Sequence, residues 1–366
     1  MNLKDKNLYY VGGVVRDENL GVASLDVDYC YEGDAIKFAK ESGLQILREN
    51  PDFGTVRVFY GGKDIDIAST RTEKYPQKGH LPVVDKIGCS LKEDLMRRDF
   101  TINAMAKNTV TGEIVDYFNG SQDLCNKQIR VLHDASFIDD PSRILRGLKF
   151  AIRFDFELSP ETRALQEDYL NNINYNQSYH RLKKELKETF NLNNNKVYKK
   201  FVEYGIYKLL GENVECFDSE INIESLVNEF SPKNVWLVYI GHLDLRNFEM
   251  TSEELKIVED FERIRDCDIK DDYDLFCQFQ NASLESILLY AIHVDLNKAL
   301  YYLRELSNVK LNINGEDLKK LGIQQGKIYK EVFDKVLFSK ITNKYLTRED
   351  ELKIAKEYYF GTKNIK

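Results

Sequence analysis

Apolar residues recur along the first 120 positions in short runs of strand length. Leu8–Val11, Thr55–Tyr60, Asp64–Ala68 and Glu113–Tyr117 are rich in β-branched and aromatic side chains and predict β-strands. Between Asp34 and Arg48 the spacing of Ile36, Phe38, Ala39, Leu44 and Leu47 predicts a helix instead. After about residue 135 the pattern changes: turn signals thin out and helical spacing takes over, as in Ile144, Leu145, Leu148, Ala151 and Ile152. A mixed strand-and-helix head followed by an all-helical remainder is the expected α+β organisation. Weak boundary signals fall at Asn191–Asn195 and Ser307–Gly315, and no internal repeat or low-complexity tract is visible.

Composition narrows the class. The 366 residues are 43% hydrophobic and 31% charged, as in an ordinary globular protein. No run approaches the 18 or so apolar residues of a membrane span, and Met1–Lys6 lacks the apolar core of a signal peptide, so a cytoplasmic protein is expected, with no membrane partner. The six cysteines (30, 89, 125, 216, 267 and 277) form no close pair, which argues against a disulfide framework and a zinc knuckle. The net charge of -8 disfavours a polyanionic partner until its distribution is considered. Residues 141–210 hold 13 basic and 8 acidic side chains, residues 211–300 hold 7 and 20, and residues 301–366 hold 14 and 9. Nucleic acid responds to the field within a Debye length of about 10 Å, so two basic segments can serve an RNA backbone; solvated helix faces explain them equally well.

The candidate chemistry starts with "YYVGGVVRD" (9–17) and "LDVDY" (25–29). On a strand, Asp26 and Asp28 point to one face about 7 Å apart, with Leu25 and Val27 turned into a core. Side-by-side carboxylates need positive charge between them, and hard divalent cations take such oxygen ligands. "KDIDIAST" (63–70) supplies a further carboxylate, Asp66, framed by Ile65 and Ile67. An exposed strand rim is the other reading of D-x-D. Gly12-Gly13 after an apolar strand can cradle phosphate through backbone N–H groups. Neither G-x-x-x-x-G-K-[ST] nor G-x-G-x-x-G occurs. A phosphate cradle beside metal-binding carboxylates suits phosphoryl transfer.

These residues resemble a known family. Gly-Gly-x-Val-Arg-Asp followed by Asp-x-Asp is similar to the first motif of class II nucleotidyltransferases, the tRNA CCA-adding enzymes and bacterial poly(A) polymerases of the polymerase β-like superfamily. "DLMRRDFTINAMA" (94–106), "FIDDPSRILRGLKFAIRFDF" (137–156), "SYHRLKKEL" (178–186) and "INGEDLKKLGIQQGKIYKEVF" (313–333) resemble later motifs in family order. The resemblance implies a nucleotidyltransferase head over residues 1–134, then an all-α neck (135–200), body (201–300) and tail (301–366). It implies Asp26 and Asp28 as ligands of Mg²⁺, with Asp66 as third catalytic carboxylate. Gly12, Gly13 and Arg16 would hold the triphosphate, and Arg98 and Asp99 the ribose. Asp140 and Arg143 would read the incoming base, and Arg146 a nearby phosphate or sugar.

Three apart, Asp140 and Arg143 share a face if helical and can pair, presenting acceptor and donors to a base edge; an ordinary surface ion pair has the same spacing. The function implied is addition of C, C and A to the tRNA 3′ end from CTP and ATP, with A-only addition, poly(A) synthesis or a non-catalytic RNA-binding homologue as alternatives. Lys183, Lys184, Lys187, Lys319, Lys320, Lys327 and Lys330 are candidates for RNA phosphate contacts. No protein partner is expected. The motifs depart from the family at Asp66 and Asp139, where glutamate is usual, and at His180. His133 reads as structural.

Overall fold

Strand β1 (Leu8–Val11) runs into Gly12, and the chain turns directly into α1 (Gly13–Asn19). The computed structural model describes residues 3–24, 27–173, 177–211 and 221–363. Within them β1 joins β2 (Tyr29–Tyr31), β3 (Gln45–Asn50), β4 (Thr55–Tyr60), β5 (Lys63–Ser69), β8 (Ala106–Asn108) and β9 (Ile114–Val115) in a sheet ordered β3-β4-β5-β2-β1-β8-β9. β6 (Arg71–Lys74) and β7 (Val83–Ile87) form a separate hairpin. The sheet is mixed, because β2 pairs parallel to β5 while its other ladders are antiparallel.

Alternation along these strands feeds two cores. One face sends Leu8, Tyr29, Val56, Val58 and Ile67 against Ala35, Phe38 and Ala39 of α2 (Ala35–Glu41). The other sends Val11, Cys30 and Ala106 against Leu91 and Leu95 of α3 (Leu91–Met96). Fully burying one such side chain stabilises the fold by about 1.5–3 kcal/mol. The expected helix over 34–48 proves shorter: α2 stops at Glu41, Gly43 takes φ 64°, and residues 45–50 pair with β4 as an edge strand. A short apolar run suits either structure, and the left-handed glycine decides it. The expected strand Glu113–Tyr117 shrinks to Ile114–Val115. Asp28 stands just before β2 and Val27 is 46% exposed, so Val27 does not enter a core; Asp26 lies outside the described residues.

The first compact unit comprises Met1–Asp218 with Asp244–Glu249. Beyond the sheet it contains α4 (Gly120–Cys125), α5 (Ser136–Asp139), α6 (Ser142–Phe154), α7 (Pro160–Asn171), α8 (Tyr179–Phe190) and α9 (Asn195–Glu203). The buried stripe of α6, Ile144, Leu145 and Leu148, packs with α8, whose buried residues are Leu182, Leu186 and Phe190. The second unit, Ser219–Leu243 with Met250–Lys366, is helical from Ile223–Phe230 to Arg348–Lys363. Its core includes the buried run Trp236–Ile240, and near its end Leu318, Val332, Val336 and Ala355 cluster together. No helix among the described residues is long and apolar enough to cross a membrane.

Candidate active site

A cavity of about 350 Å³ opens in the first unit. Its lining gathers Gly12, Gly13, Arg16 and Asp28 from the first motif, Arg97, Arg98, Asp99 and Asn103 from the second, and Asp140, Arg143, Arg146 and Phe150 from the third. Glu73, Tyr75, Pro82, Arg181 and Glu185 complete it. Six guanidinium groups thus face one cavity beside five carboxylates, an arrangement suited to an anion that also carries hydrogen-bonding groups.

The turn into α1 needs glycine: Gly12 has φ 69°, and a Cβ there would stand 3.0 Å from Arg98 Nη1. Arg16 lies buried below it, donating from Nε to Asp17 at 2.8 Å and from Nη1 to Asn103 at 2.6 Å. Its guanidinium sits 4.6 Å from the Phe154 ring centroid and 5.3 Å from that of Phe150. Arg16 therefore ties the glycine turn to α6.

Helix α3 starts at a Ser90–Glu93 capping box and carries the fully buried Asp94. That carboxylate accepts from Arg71 N at 3.1 Å, from Arg97 Nη2 at 2.9 Å and from Arg98 Nη2 at 3.3 Å. Burial works against its charge, but Arg98 and Arg97 hold its carboxyl below the usual range. Asp99, next to them, is also buried. Its Oδ1 accepts from Phe100 N at 2.8 Å and Asn103 Nδ2 at 2.9 Å, and its Oδ2 from Arg146 Nε at 2.8 Å and Nη2 at 2.5 Å. Burial again opposes the charge, and Arg146 and Asn103 outweigh it, lowering the carboxyl. With four donors on two oxygens, Asp99 orients Arg146 and Asn103 and has no acceptor left for a ribose hydroxyl in this arrangement.

The expected helical pairing of Asp140 with Arg143 is not what forms. Pro141 follows Asp140 and excludes it from helical geometry; it takes φ -143° and ψ 91° between α5 and α6. Asp140 pairs with Arg181 of α8 at 2.6 Å. Arg143 donates to Ser136 Oγ at 2.6 Å, Arg97 O at 2.9 Å and Tyr75 Oη at 3.3 Å. Both residues still line the cavity.

Asp66 does not. One residue before the parallel Tyr29–Ile67 pair stand Asp28, just ahead of β2, and Asp66, inside β5 on the face of Ala68. Asp66 is held bidentate by Arg57 across the β4–β5 ladder, at 2.8 and 2.6 Å, and is exposed. No cluster of three metal-ligating side chains occurs among the described residues, which exclude Asp26. Asp28, an oxygen donor in the cavity wall, suits a hard divalent cation in kind.

Lys183 donates to Glu249 O, Lys184 and Glu188 pair at 4.0 Å, and Lys187 is half-buried, all on α8. Lys319, Lys320, Lys327 and Lys330 are exposed in the second unit. His133, half-buried, is shifted down by burial and by Arg143 and lies outside the cavity lining. Sequence reasoning missed Arg181, Glu185, Tyr75, Glu73 and Asn103 as site residues. Arg181 and Glu185 stand inside the "SYHRLKKEL" motif, so that signal was present.

Sheet, glycine turn and cavity define a nucleotidyltransferase head, and a family model, the Poly A polymerase head domain, matches residues 8–130. The chain belongs to the class II tRNA nucleotidyltransferase family. It is 34% identical to the A-adding tRNA nucleotidyltransferase of Aquifex aeolicus over 86% of its own length and 43% of that protein. The same-named protein of Geobacter sulfurreducens matches at 29% over 95% of this chain and 44% of the relative. The chain therefore spans less than half the length of these two relatives. That of Halalkalibacterium halodurans matches at 29% over 96% and 89%. Among solved structures, a CCA-adding enzyme with ATP superposes with TM-score 0.76 at 28% identity, covering 94% of this chain and 88% of that one. The Thermotoga maritima CCA-adding enzyme complexed with tRNA superposes with TM-score 0.73 at 28% identity, covering 95% and 90%.

Proposed function

We propose that this chain extends the 3′ end of tRNA by nucleotidyl transfer, adding C, C and A from CTP and ATP and releasing pyrophosphate. One observation carries the reading: a single cavity gathers the glycine turn, Asp28, the Arg97-Arg98-Asp99 run and the Asp140/Arg143 pair. N–H groups at the Gly12–Gly13 turn and the Arg98 guanidinium are the donors for the triphosphate. Asp99 keeps Arg146 aimed at the cavity wall, and Arg143 with Asp140 meets the base edge. Asp28, with Asp26 two residues earlier, would hold Mg²⁺. Held there, the cation would supply positive charge beside the triphosphate and would lower the pKa of the attacking hydroxyl. The carboxylates and arginines do the rest by positioning and charge neutralisation. The lysines of α8, with Lys319, Lys320 and Lys327, are the RNA-backbone contacts of this reading, and their effect should weaken with salt.

A second reading is addition of the terminal A alone. It is favoured by the names of relatives that align over 95% and 96% of this chain, both A-adding. Labelled CTP and ATP offered with tRNAs lacking A, CA or CCA separate the two. Incorporation of ATP only, onto tRNA lacking A, selects the second; incorporation of neither overturns both. Asp26→Ala and Asp28→Ala should each abolish incorporation, on the order of 10³-fold or more, while tRNA binding persists. Retained incorporation would remove the metal assignment.

A further inference from the structure

The carboxylate of Asp140 is gripped at both oxygens. Oδ1 accepts from Ser142 N at 3.1 Å and from Ser142 Oγ at 2.5 Å, and Oδ2 accepts from Arg181 Nη2 at 2.6 Å. A carboxylate offers about four acceptor positions, so the donors among the described residues leave one, on Oδ2. Arg181 reaches it from a fixed base. It stands in the first turn of α8, where Ser178 N donates to Gly79 O at 3.0 Å and the next residue, Leu182, is buried. The Arg181 and Asp140 side chains are only 25% and 7% exposed, so water competes weakly for this contact.

Resting on the nucleotidyl-transfer reading, we propose that Arg181 is a positioning residue for base choice. It orients the last acceptor of Asp140 toward the exocyclic amine of an incoming base. Cytosine N4 and adenine N6 both donate there, whereas uracil and guanine present a carbonyl oxygen at the corresponding place. An oriented carboxylate accepts from the first pair and repels the second. Arg143, fixed by Ser136, Tyr75 and Arg97, keeps one Nη1 proton, or Nε–H on its other side, as a single donor for an acceptor of the same base edge. Without Arg181, Oδ2 loses its anchor while Ser142 still holds Oδ1. The acceptor direction then spreads, and the distinction between amine and carbonyl weakens with it.

The ion pair could instead be a strut between α8 and the α5–α6 junction, so the test must read selectivity and not rate alone. Full-length wild type, R181A and R181K are compared for kcat and KM with CTP, UTP, ATP and GTP, on tRNA lacking CCA and tRNA lacking A. R181A should lower kcat/KM for the accepted nucleotide about tenfold to a hundredfold, chiefly through KM. It should also narrow the CTP-to-UTP or ATP-to-GTP ratio by about tenfold, with R181K restoring most of that ratio. An equal loss for all four nucleotides, with unchanged ratios, overturns the proposal. If R181A does not fold, R181M carries the same test: it keeps the length of the side chain but cannot donate, and an unchanged ratio in that folded variant also overturns the proposal. A wild type that incorporates no nucleotide counts against the preceding reading; a selective wild type with unaltered ratios in the variants counts against Arg181 alone.

Discussion

Two sites, one in each compact unit, bury titratable groups by opposite means. In the first, Asp94 and Asp99 are buried as carboxylates against arginines, which hold their carboxyls below the usual range although burial pushes the other way. In the second, the His242 and His293 rings lie 4.0 Å apart, centroid to centroid, and burial pushes them down to about 2 and about 4. The aspartate site keeps charge in the interior by pairing it; the histidine site excludes charge, although the second unit elsewhere pairs the fully buried Glu351 with Lys340. On the proposed function the cavity receives a polyphosphate, which needs oriented guanidinium groups, and buried carboxylates orient Arg97, Arg98 and Arg146. The histidines of the second unit meet no such demand, and burial favours their neutral form.

The largest expected effect comes from breaking a pair in the first unit. Arg146→Ala removes both ionic hydrogen bonds to Asp99 Oδ2, leaving a buried carboxylate short of its partner. That should destabilise the first unit by about 3–5 kcal/mol in chemical denaturation. Nucleotide incorporation should fall too, since Arg146 lines the cavity. A loss below about 1 kcal/mol, the range of exposed pairs, would mean that Asp99 does not depend on Arg146 and would dissolve the contrast between the two sites.

That contrast was only half legible in the sequence. Motifs confined to one element could be read directly: the strand–glycine turn at Val11–Gly13, the Arg97-Arg98-Asp99 run, and the Asp140–Arg146 segment all reach the cavity. Partners supplied by distant elements could not. Arg181 lies 41 residues from Asp140, and helical spacing pointed to Arg143 until Pro141 broke the helix between them. The 34–48 helix failed for a local reason of the same kind. Gly43 ends α2, and pairing with β4 then claims Leu44-like apolar positions such as Ile46 for a strand. The histidine pair left no signal, because His242 and His293 meet only through the packing of the second unit.

The next effect is acid sensitivity. A histidine whose folded value is depressed stabilises fully above its unfolded value of about 6.5, and the contribution is lost as pH falls below that toward the folded value. For His242 and His293 the window runs from about 6.5 down to about 2 and about 4. Lowered carboxyls such as Asp94 and Asp99 lose their contribution only below about pH 4, as pH falls through their folded values. Near pH 5 the second unit should therefore lose about 2–3 kcal/mol per pH unit while those carboxylates hold. His133 adds a loss of the same sign in the first unit. The chain's single tryptophan, Trp236, is buried in the second unit, so its fluorescence in urea titrations at pH 7, 6 and 5 reads that unit. A variant with H242Q and H293Q together should flatten the slope, and an unchanged slope would exclude the pair as its source.

The smallest effect is expected at Arg57–Asp66, which matches Arg146–Asp99 in being a short two-bond contact but differs in exposure. Its side chains are 50% and 59% exposed, so water and salt screen the pair. Arg57→Ala should leave the melting temperature unmoved, unlike Arg146→Ala. The same pair tests the third carboxylate, because Asp66 stands in register beside Asp28 while Arg57 occupies both its oxygens. If Asp66 serves the reaction, D66N lowers incorporation and R57A, which frees the carboxylate, does not. Equal losses in D66N and R57A would mean that the cross-strand pair matters rather than the carboxylate. No loss in either would leave catalysis to Asp28 and its neighbour in the motif, with Asp66 as half of a surface ion pair.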